Sequence, residues 1–259
     1  MPEIRAAFFD IDGTLLPFED EALPRSTVRA LRALREKGIR IYIATGRPPV
    51  HLPLLKALQE VEFDGYVTMN GQYCYEGDTV LHECTIPTES LVNLLPYANE
   101  NNISVGFIEK DYAYFNLIND LSAPFTEHFQ QGLDDPQKRL GTYPVYQLSA
   151  FLKPEYEAEF LQHCPGCLAV RWSDEFADVF PQGGGKPAGL KAVLAHHGWD
   201  ASQCIAFGDG DNDVTMLQYA GIGVAMGNAR PNVQAAADYV TASDREDGIE
   251  KALQHFGIL

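Results

Sequence analysis

Two aspartates two positions apart are the first residues of this chain whose types and spacing could do chemistry. Asp10-Ile11-Asp12-Gly13-Thr14 follows directly on the apolar run Ile4-Arg5-Ala6-Ala7-Phe8-Phe9. Only Arg5 lies near enough in sequence to offset them, so the pair is costly unless a cation or a substrate uses it. Two further polar clusters, Thr45-Gly46-Arg47 and Gly208-Asp209-Gly210-Asp211-Asn212-Asp213, each follow an apolar run, and Lys186 follows Gly183-Gly184-Gly185. Several carboxylates within a few ångströms need a divalent cation, and oxygen ligands without His or Cys favour Mg²⁺. A threonine hydroxyl, glycine-opened backbone N–H groups and a lysine make a receptor for a phosphoryl group. One carboxylate can attack such a group, and a second on the same turn can protonate the leaving oxygen and then activate water.

These groups can act together only if the fold brings them to one edge. The run before Asp10 reads as a buried strand. A helix with apolar face Val28, Leu31 and Leu34 follows, capped by Ser26 or Thr27 and stopped by Gly38. A strand from Ile39 to Ala44, a helix from roughly Val50 to Leu58 and a strand from Gly65 to Met69 complete a βαβαβ series, which specifies a doubly wound parallel sheet. Asn70-Gly71, with Gln72 to Tyr75 and Thr79 to Leu81, suggests a hairpin. From Thr85 to about Phe180 the chain offers a helix (Pro87 to Asn99), strands at Ile103 to Ile108 and Tyr112 to Leu117, and a polar stretch from Gly132 to Pro144. A strand from Val145 to Phe151, a helix from Pro154 to His163 and strands at Leu168 to Trp172 and Ala177 to Phe180 follow, and strands adjacent in sequence predict an antiparallel sheet with helices on one face. The βα alternation then returns, with a helix over Pro187 to His197 and a strand over Cys204 to Phe207. The expected organisation is an α/β core of residues 1–83 and 183–259 interrupted by an α+β insertion, residues 84–182. In a parallel sheet all strand ends point one way, so the polar clusters can meet.

With these motifs in this order, the sequence resembles the haloacid dehalogenase-like (HAD) phosphohydrolases. It is similar to their Cof-type branch, the class IIB-capped sugar phosphatases, over nearly its whole length. The matching residues are the DIDGT run at Asp10, ATGR at Thr45, Lys186, and the GDGDND run at Asp209. The resemblance implies a Rossmann-like core with a C2-type cap. It also implies a nucleophile at Asp10, a general acid/base at Asp12, and phosphate binding by Thr45, Gly46, Lys186 and Asn212. Mg²⁺ would be held by Asp10, the Asp12 backbone carbonyl and Asp209, with Asp213 behind them. Arg47 either reaches the substrate or pairs with an acidic neighbour. Pro187 stands where relatives commonly carry glycine, and proline suits a first helical turn.

Competing patterns fail on specific positions. An EF-hand begun at Asp209 would need glycine at Val214 and glutamate at Ala220. A P-loop would need glycine at Phe180 and Ser or Thr at Pro187. Cys164-Pro165-Gly166-Cys167 has metal or redox spacing but no second ligand pair, and it reads as a turn. His196-His197 reads as a cationic pair suited to a helix C-terminus. Tyr112, Tyr114 and Trp172 read first as core aromatics, with stacking on a sugar as the alternative.

The formal net charge of -17 over 259 residues argues against nucleic acid and anionic membranes as partners. An odd count of five cysteines, and no leader-like or membrane-spanning run, suggest a cytoplasmic protein, monomeric or a small homo-oligomer. The expected activity is Mg²⁺-dependent hydrolysis of a small phosphomonoester, a sugar phosphate above others, through an aspartyl-phosphate. A sugar phosphomutase and a non-catalytic phosphometabolite-binding regulator are the alternatives.

Overall fold

The computed structural model describes residues 3–128, 132–171 and 173–259. Trp172, one of the candidate stacking residues, lies outside them, as do residues 1 and 2. The chain divides into two compact units, 1–47 with 52–83 and 185–259, and 48–51 with 84–184. Among the described residues no helix is long and apolar enough to cross a membrane.

The first unit begins with β1 (Ala6–Phe9), α1 (Arg25–Glu36), β2 (Arg40–Ala44), β3 (Gly65–Thr68), β4 (Tyr73–Glu76) and β5 (Thr79–Glu83). The second contributes α2 (Thr88–Glu100), β6 (Ser104–Ile108), β7 (Ala113–Phe115), α3 (Ala123–His128), β8 (Gly132–Leu133), α4 (Pro136–Arg139), β9 (Gln147–Phe151), α5 (Glu157–His163), β10 (Cys167–Val170) and β11 (Ala177–Pro181). The chain then completes the first unit with α6 (Lys186–His196), β12 (Cys204–Gly208), α7 (Val214–Tyr219), β13 (Ile222–Ala225), α8 (Pro231–Ala236), β14 (Tyr239–Val240) and α9 (Gly248–His255).

The core sheet has the order β14-β13-β12-β1-β2-β3-β4-β5, parallel from β14 through β3 and antiparallel beyond. Because β1 is buried on both faces, its apolar run does not alternate with polar residues. Ala7 and Phe9 face a cluster with Leu31, Leu34, Phe207, Ala252 and Leu253, under α1 and α9. Ala6 and Phe8 face Leu190, Val193, Met216 and Leu217, under α6 and α7. Phe9 stacks on Phe207 and Phe8 on Tyr42, each at 4.9 Å between ring centroids. Each such fully buried side chain contributes about 1.5–3 kcal/mol by leaving water.

The structure departs from the expectations locally, for identifiable reasons. Two 3₁₀ helices, Pro49–Leu54 and Lys56–Glu60, replace the helix expected from Val50 to Leu58, because Pro53 can neither donate to nor clear an α-helical turn. Neither Ser26 nor Thr27 caps α1. Both are buried within its first turn, Pro24 holds the cap position, and no side chain caps it. Gly38 does end α1, in the left-handed region at φ 76°. The β4–β5 hairpin turns at Gly77-Asp78, while Asn70-Gly71 sits in the preceding turn, which sends β3 back into β4.

The second unit's sheet has the order β10-β11-β9-β6-β7-β8 and is mixed, since β7 and β8 run parallel. α2 and α5 cover one face through Leu91, Leu94 and Phe160. α3, missed in the sequence, lies against the other, where Phe125 packs on Phe151 at 5.3 Å and Phe176 at 5.4 Å. Helices on one face only is therefore corrected: the alternating Phe115 and Phe151 give that second face an apolar surface to cover. Tyr114 belongs to the core of this unit and offers no surface for stacking on a sugar. Tyr112 is exposed beneath Arg139, whose guanidinium carbon is 4.5 Å from its ring centroid.

Candidate active site

The carboxyl ends of the core strands gather most of the polar residues singled out above. Asp10 is the first residue beyond β1, its N–H donating to the Phe207 carbonyl of β12 at 3.0 Å, and its side chain is nearly buried. The chain then turns sharply, with Leu16 N–H to the Ile11 carbonyl at 2.8 Å and Gly13 at φ 79°. That conformation suits glycine, and a Cβ there would also collide with the Asp209 carboxylate. Thr14 Oγ1 donates to Asp209 Oδ1 at 2.9 Å, which ties the first turn to the acidic loop after β12. Asn228 Nδ2 donates to the Gly13 carbonyl at 2.8 Å.

Lys186, the first residue of α6, is fully buried. Its Nζ donates to Asp10 Oδ1 at 2.6 Å and to Asp213 Oδ1 at 2.5 Å. Asp213 Oδ2 in turn accepts the backbone N–H groups of Asp209 at 3.0 Å and Gly210 at 2.9 Å, so this carboxylate shapes the loop that carries Asp209. Carboxylate oxygens of Asp10, Asp209 and Asp213 all lie within 4.8 Å of one another. One ammonium against three gathered carboxylates leaves the cluster short of positive charge.

The protonation equilibria express that shortage. Burial pushes the Asp10 carboxyl well above the usual carboxylate range; Lys186 opposes the rise, and Asp213, Asp209 and Asp12 add to it. Burial, with Asp213 next, raises Asp209 to about 7, against the Thr14 hydrogen bond and Lys186. Burial disfavours the Lys186 ammonium, but Asp10 and Asp213 outweigh that and hold it charged. An all-oxygen donor set that cannot comfortably hold its own charge fits a hard divalent cation and does not fit a soft one.

Asp12 faces a different partner. Its carboxylate takes a two-pronged pair from Arg47, Nε to Oδ2 and Nη2 to Oδ1, both at 2.8 Å. Of the two roles open to Arg47, pairing with an acidic neighbour is the one in the structure. Thr45, two residues beyond the β2 position level with Phe9, is buried and accepts the Arg47 N–H at 3.1 Å. Asn212 Nδ2 donates to Asn70 Oδ1 at 3.0 Å, and Asn70 N–H donates to the Thr45 carbonyl at 2.9 Å. Asp211 points elsewhere, to Arg230 and Asn232.

Asn70 is the site residue that reading the sequence as a hairpin turn missed. Met69 and Asn70 both hold positive φ, 49° and 53°, a strained pair for residues with side chains and one often found at functional sites. A Cβ on Gly71 would strike the backbone of Gly185, so this turn packs against the start of α6 and helps place Lys186. The available signal was position: Asn-Gly directly after the third parallel strand lies on the same edge as Thr45.

Fold and site define a class. Residues 7–253 match the haloacid dehalogenase-like hydrolase family, and the chain belongs to it. It is 38% identical to the HAD subclass IIB sugar phosphatase BT4131, with a TM-score of 0.89 covering 98% of this chain and 100% of that one. YkrA of Bacillus subtilis (strain 168) is 33% identical over 97% of each chain. The pyridoxal phosphate phosphatase YbhA of Escherichia coli (strain K12) is 29% identical over 95% of this chain and 96% of its own. The chain is a HAD-type phosphatase of the Cof-type, class IIB branch, with the α/β core and second mixed sheet of that branch.

Proposed function

We propose that this phosphatase hydrolyses a sugar phosphate in two steps through an aspartyl-phosphate on Asp10, with Mg²⁺ as its metal. The observation that carries the reading is the buried Lys186 bridging Asp10 and Asp213 beside Asp209, one cation among three carboxylates. Asp10, Asp209 and the Asp12 backbone carbonyl would hold the ion, with Asp213 supporting. When bound, the ion offsets the carboxylates' charge and that of the phosphoryl oxygens.

Asp10 Oδ attacks phosphorus in line with the ester oxygen, and the bond to that oxygen breaks. Lys186, Thr45, Gly46 and Asn212 hold the phosphoryl oxygens, and the fixed ammonium costs no reorganisation as charge shifts. Asp12 gives its proton to the leaving alkoxide, then takes one from water as that water attacks the aspartyl-phosphate and frees Asp10. Arg47 exchanges Asp12 for an oxygen of the incoming substrate, which releases the Asp12 carboxyl to carry a proton. The core residues account for the phosphoryl group alone, so the choice of leaving group is assigned to the 84–182 insertion. Sugar phosphate is preferred because the sugar phosphatase BT4131, at 38% identity, is more similar to this chain than the pyridoxal phosphate phosphatase YbhA, at 29%.

The test is a screen with Mg²⁺ across hexose and pentose phosphates, pyridoxal phosphate and nucleotides, beside Asp10→Asn. Release of inorganic phosphate from a sugar phosphate by the native chain, with none from the variant, is the expected result. Turnover surviving in Asp10→Asn rejects the nucleophile, an isomerised sugar phosphate without free phosphate marks a mutase, and preference for a non-sugar ester rejects the substrate.

A further inference from the structure

A second group of potential ligands sits at the opposite end of the core sheet. α6 starts at Lys186 and ends at His196, so its two ends are about 15 Å apart along the helix axis. At the far end, His197 Nε2 lies 2.6 Å from Glu76 Oε1, and ligand atoms of Glu76, His196 and His197 all fall within 4.8 Å of one another. Glu76 is the last residue of β4, whereas His196 ends α6 and His197 caps it some 120 positions on, so only the fold joins them.

The carboxylate is oriented rather than loose. The Tyr42 hydroxyl donates to Glu76 Oε1 at 2.8 Å, from the buried side of β2, and lies 3.3 Å from His197 Nε2. Gly65 leaves room for this: a Cβ there would sit 2.8 Å from Glu76 Cγ and 3.0 Å from Tyr42 Cε1. The His197 ring is braced by Trp199, stacked at 4.5 Å. His196 is exposed, so the cluster is open to solution on one side. Arg40 approaches the other Glu76 oxygen, Oε2, at 3.5 Å, and with 42% of its side chain exposed it can withdraw into water.

We propose that Glu76, His196 and His197 form a binding site for a borderline-soft divalent transition metal such as Zn²⁺, separate from the phosphatase centre. Two imidazoles and a carboxylate are a recognised zinc donor set that leaves further positions for water. A hydrogen bond to the ligating carboxylate from an outer partner, here Tyr42, is the support such sites use. Imidazole also makes the site discriminate: Mg²⁺ favours oxygen ligands and nearly regular octahedra, whereas Zn²⁺, Co²⁺ and Ni²⁺ accept nitrogen. Bound there, the ion ties the C-terminal end of α6 to β4. It stabilises the folded chain by an amount that grows with the logarithm of free metal above its Kd, because the unfolded chain does not assemble the site.

The experiment is titration of the chelator-stripped full chain with Co²⁺ in excess Mg²⁺, read by visible absorption and by metal content after gel filtration. One equivalent of Co²⁺ with the absorption of a nitrogen-containing site, displaced by Zn²⁺, is expected. His196→Ala and Glu76→Gln are expected to weaken binding at least about tenfold, and Tyr42→Phe about tenfold, the range for loss of an outer partner. Asp10→Asn, altered at the phosphatase centre, is expected to bind Co²⁺ as the native chain does. Because His196 is exposed, its variant isolates the ligand from folding, checked by an unchanged Tm in chelator. A native chain that binds no Co²⁺ under excess Mg²⁺ overturns the proposal, as do His196→Ala and Glu76→Gln variants that bind it with native affinity.

Discussion

Two buried charge clusters, one in each unit, differ in a way that separates structure from chemistry. In the inserted unit Arg139 meets Glu109 in a two-pronged pair, at 2.8 and 2.6 Å, with the guanidinium also over the rings of Tyr112, Tyr114 and Tyr143. One cation faces one buried carboxylate, with the more exposed Asp134 Oδ2 3.6 Å from its Nη1, planar donors meet planar acceptors, and aromatic faces cover the charge. In the core, Lys186 is shared between Asp10 and Asp213 while Asp209 stands beside them. The first cluster is complete as it is. The second keeps one ammonium among three carboxylates, and under the proposed function a cation and a phosphoryl group would complete it, so that stability is spent on function.

The sharpest way to break the comparison is to neutralise one carboxylate on each side. Asp10→Asn is expected to lower turnover by at least roughly a thousandfold, as loss of a nucleophile does. Its Tm should not fall, because a crowded, desolvated charge has gone; steady-state kinetics and calorimetry read both. Glu109→Gln should do the reverse in stability: leaving Arg139 with only its longer contact to the more exposed Asp134 costs about 1–3 kcal/mol in denaturant unfolding. If Asp10→Asn proved the more destabilising of the two, the contrast would collapse.

Arg47→Ala is expected to raise KM about tenfold, with a smaller change in kcat, since it removes a binding contact rather than the reacting group. An unchanged KM would return Arg47 to a purely structural pairing with Asp12. The smallest effect concerns pH. A carboxyl raised to about 7 in the folded chain holds its proton more tightly there than when unfolded. Its stabilising contribution is complete below the unfolded value of 3.8 and is lost as pH rises through about 7. Metal-free protein should therefore lose a few degrees of Tm between about pH 4 and 8 that Asp209→Asn does not lose, and Mg²⁺ should restore them at the upper end. Parallel Tm profiles for the two chains would deny Asp209 this role.

Local residue types determined much of this protein. A doubly apolar β1 followed by Asp10-Ile11-Asp12-Gly13-Thr14, and a second such strand followed by Gly208 to Asp213, were legible because both strand burial and turn chemistry are short-range properties. Pro53 is also a short-range signal, one that the expectation of a helix from Val50 to Leu58 did not weigh. Other features needed the whole fold, since they join segments far apart in the chain. Arg47 closing on Asp12, Asn70 reaching Asn212, and Glu76 meeting His197 span 35, 142 and 121 positions. Such pairs depend on strand order and on the direction each side chain takes from its element. Sequence periodicity assigns a residue to a face, but only packing in three dimensions chooses which other face it meets.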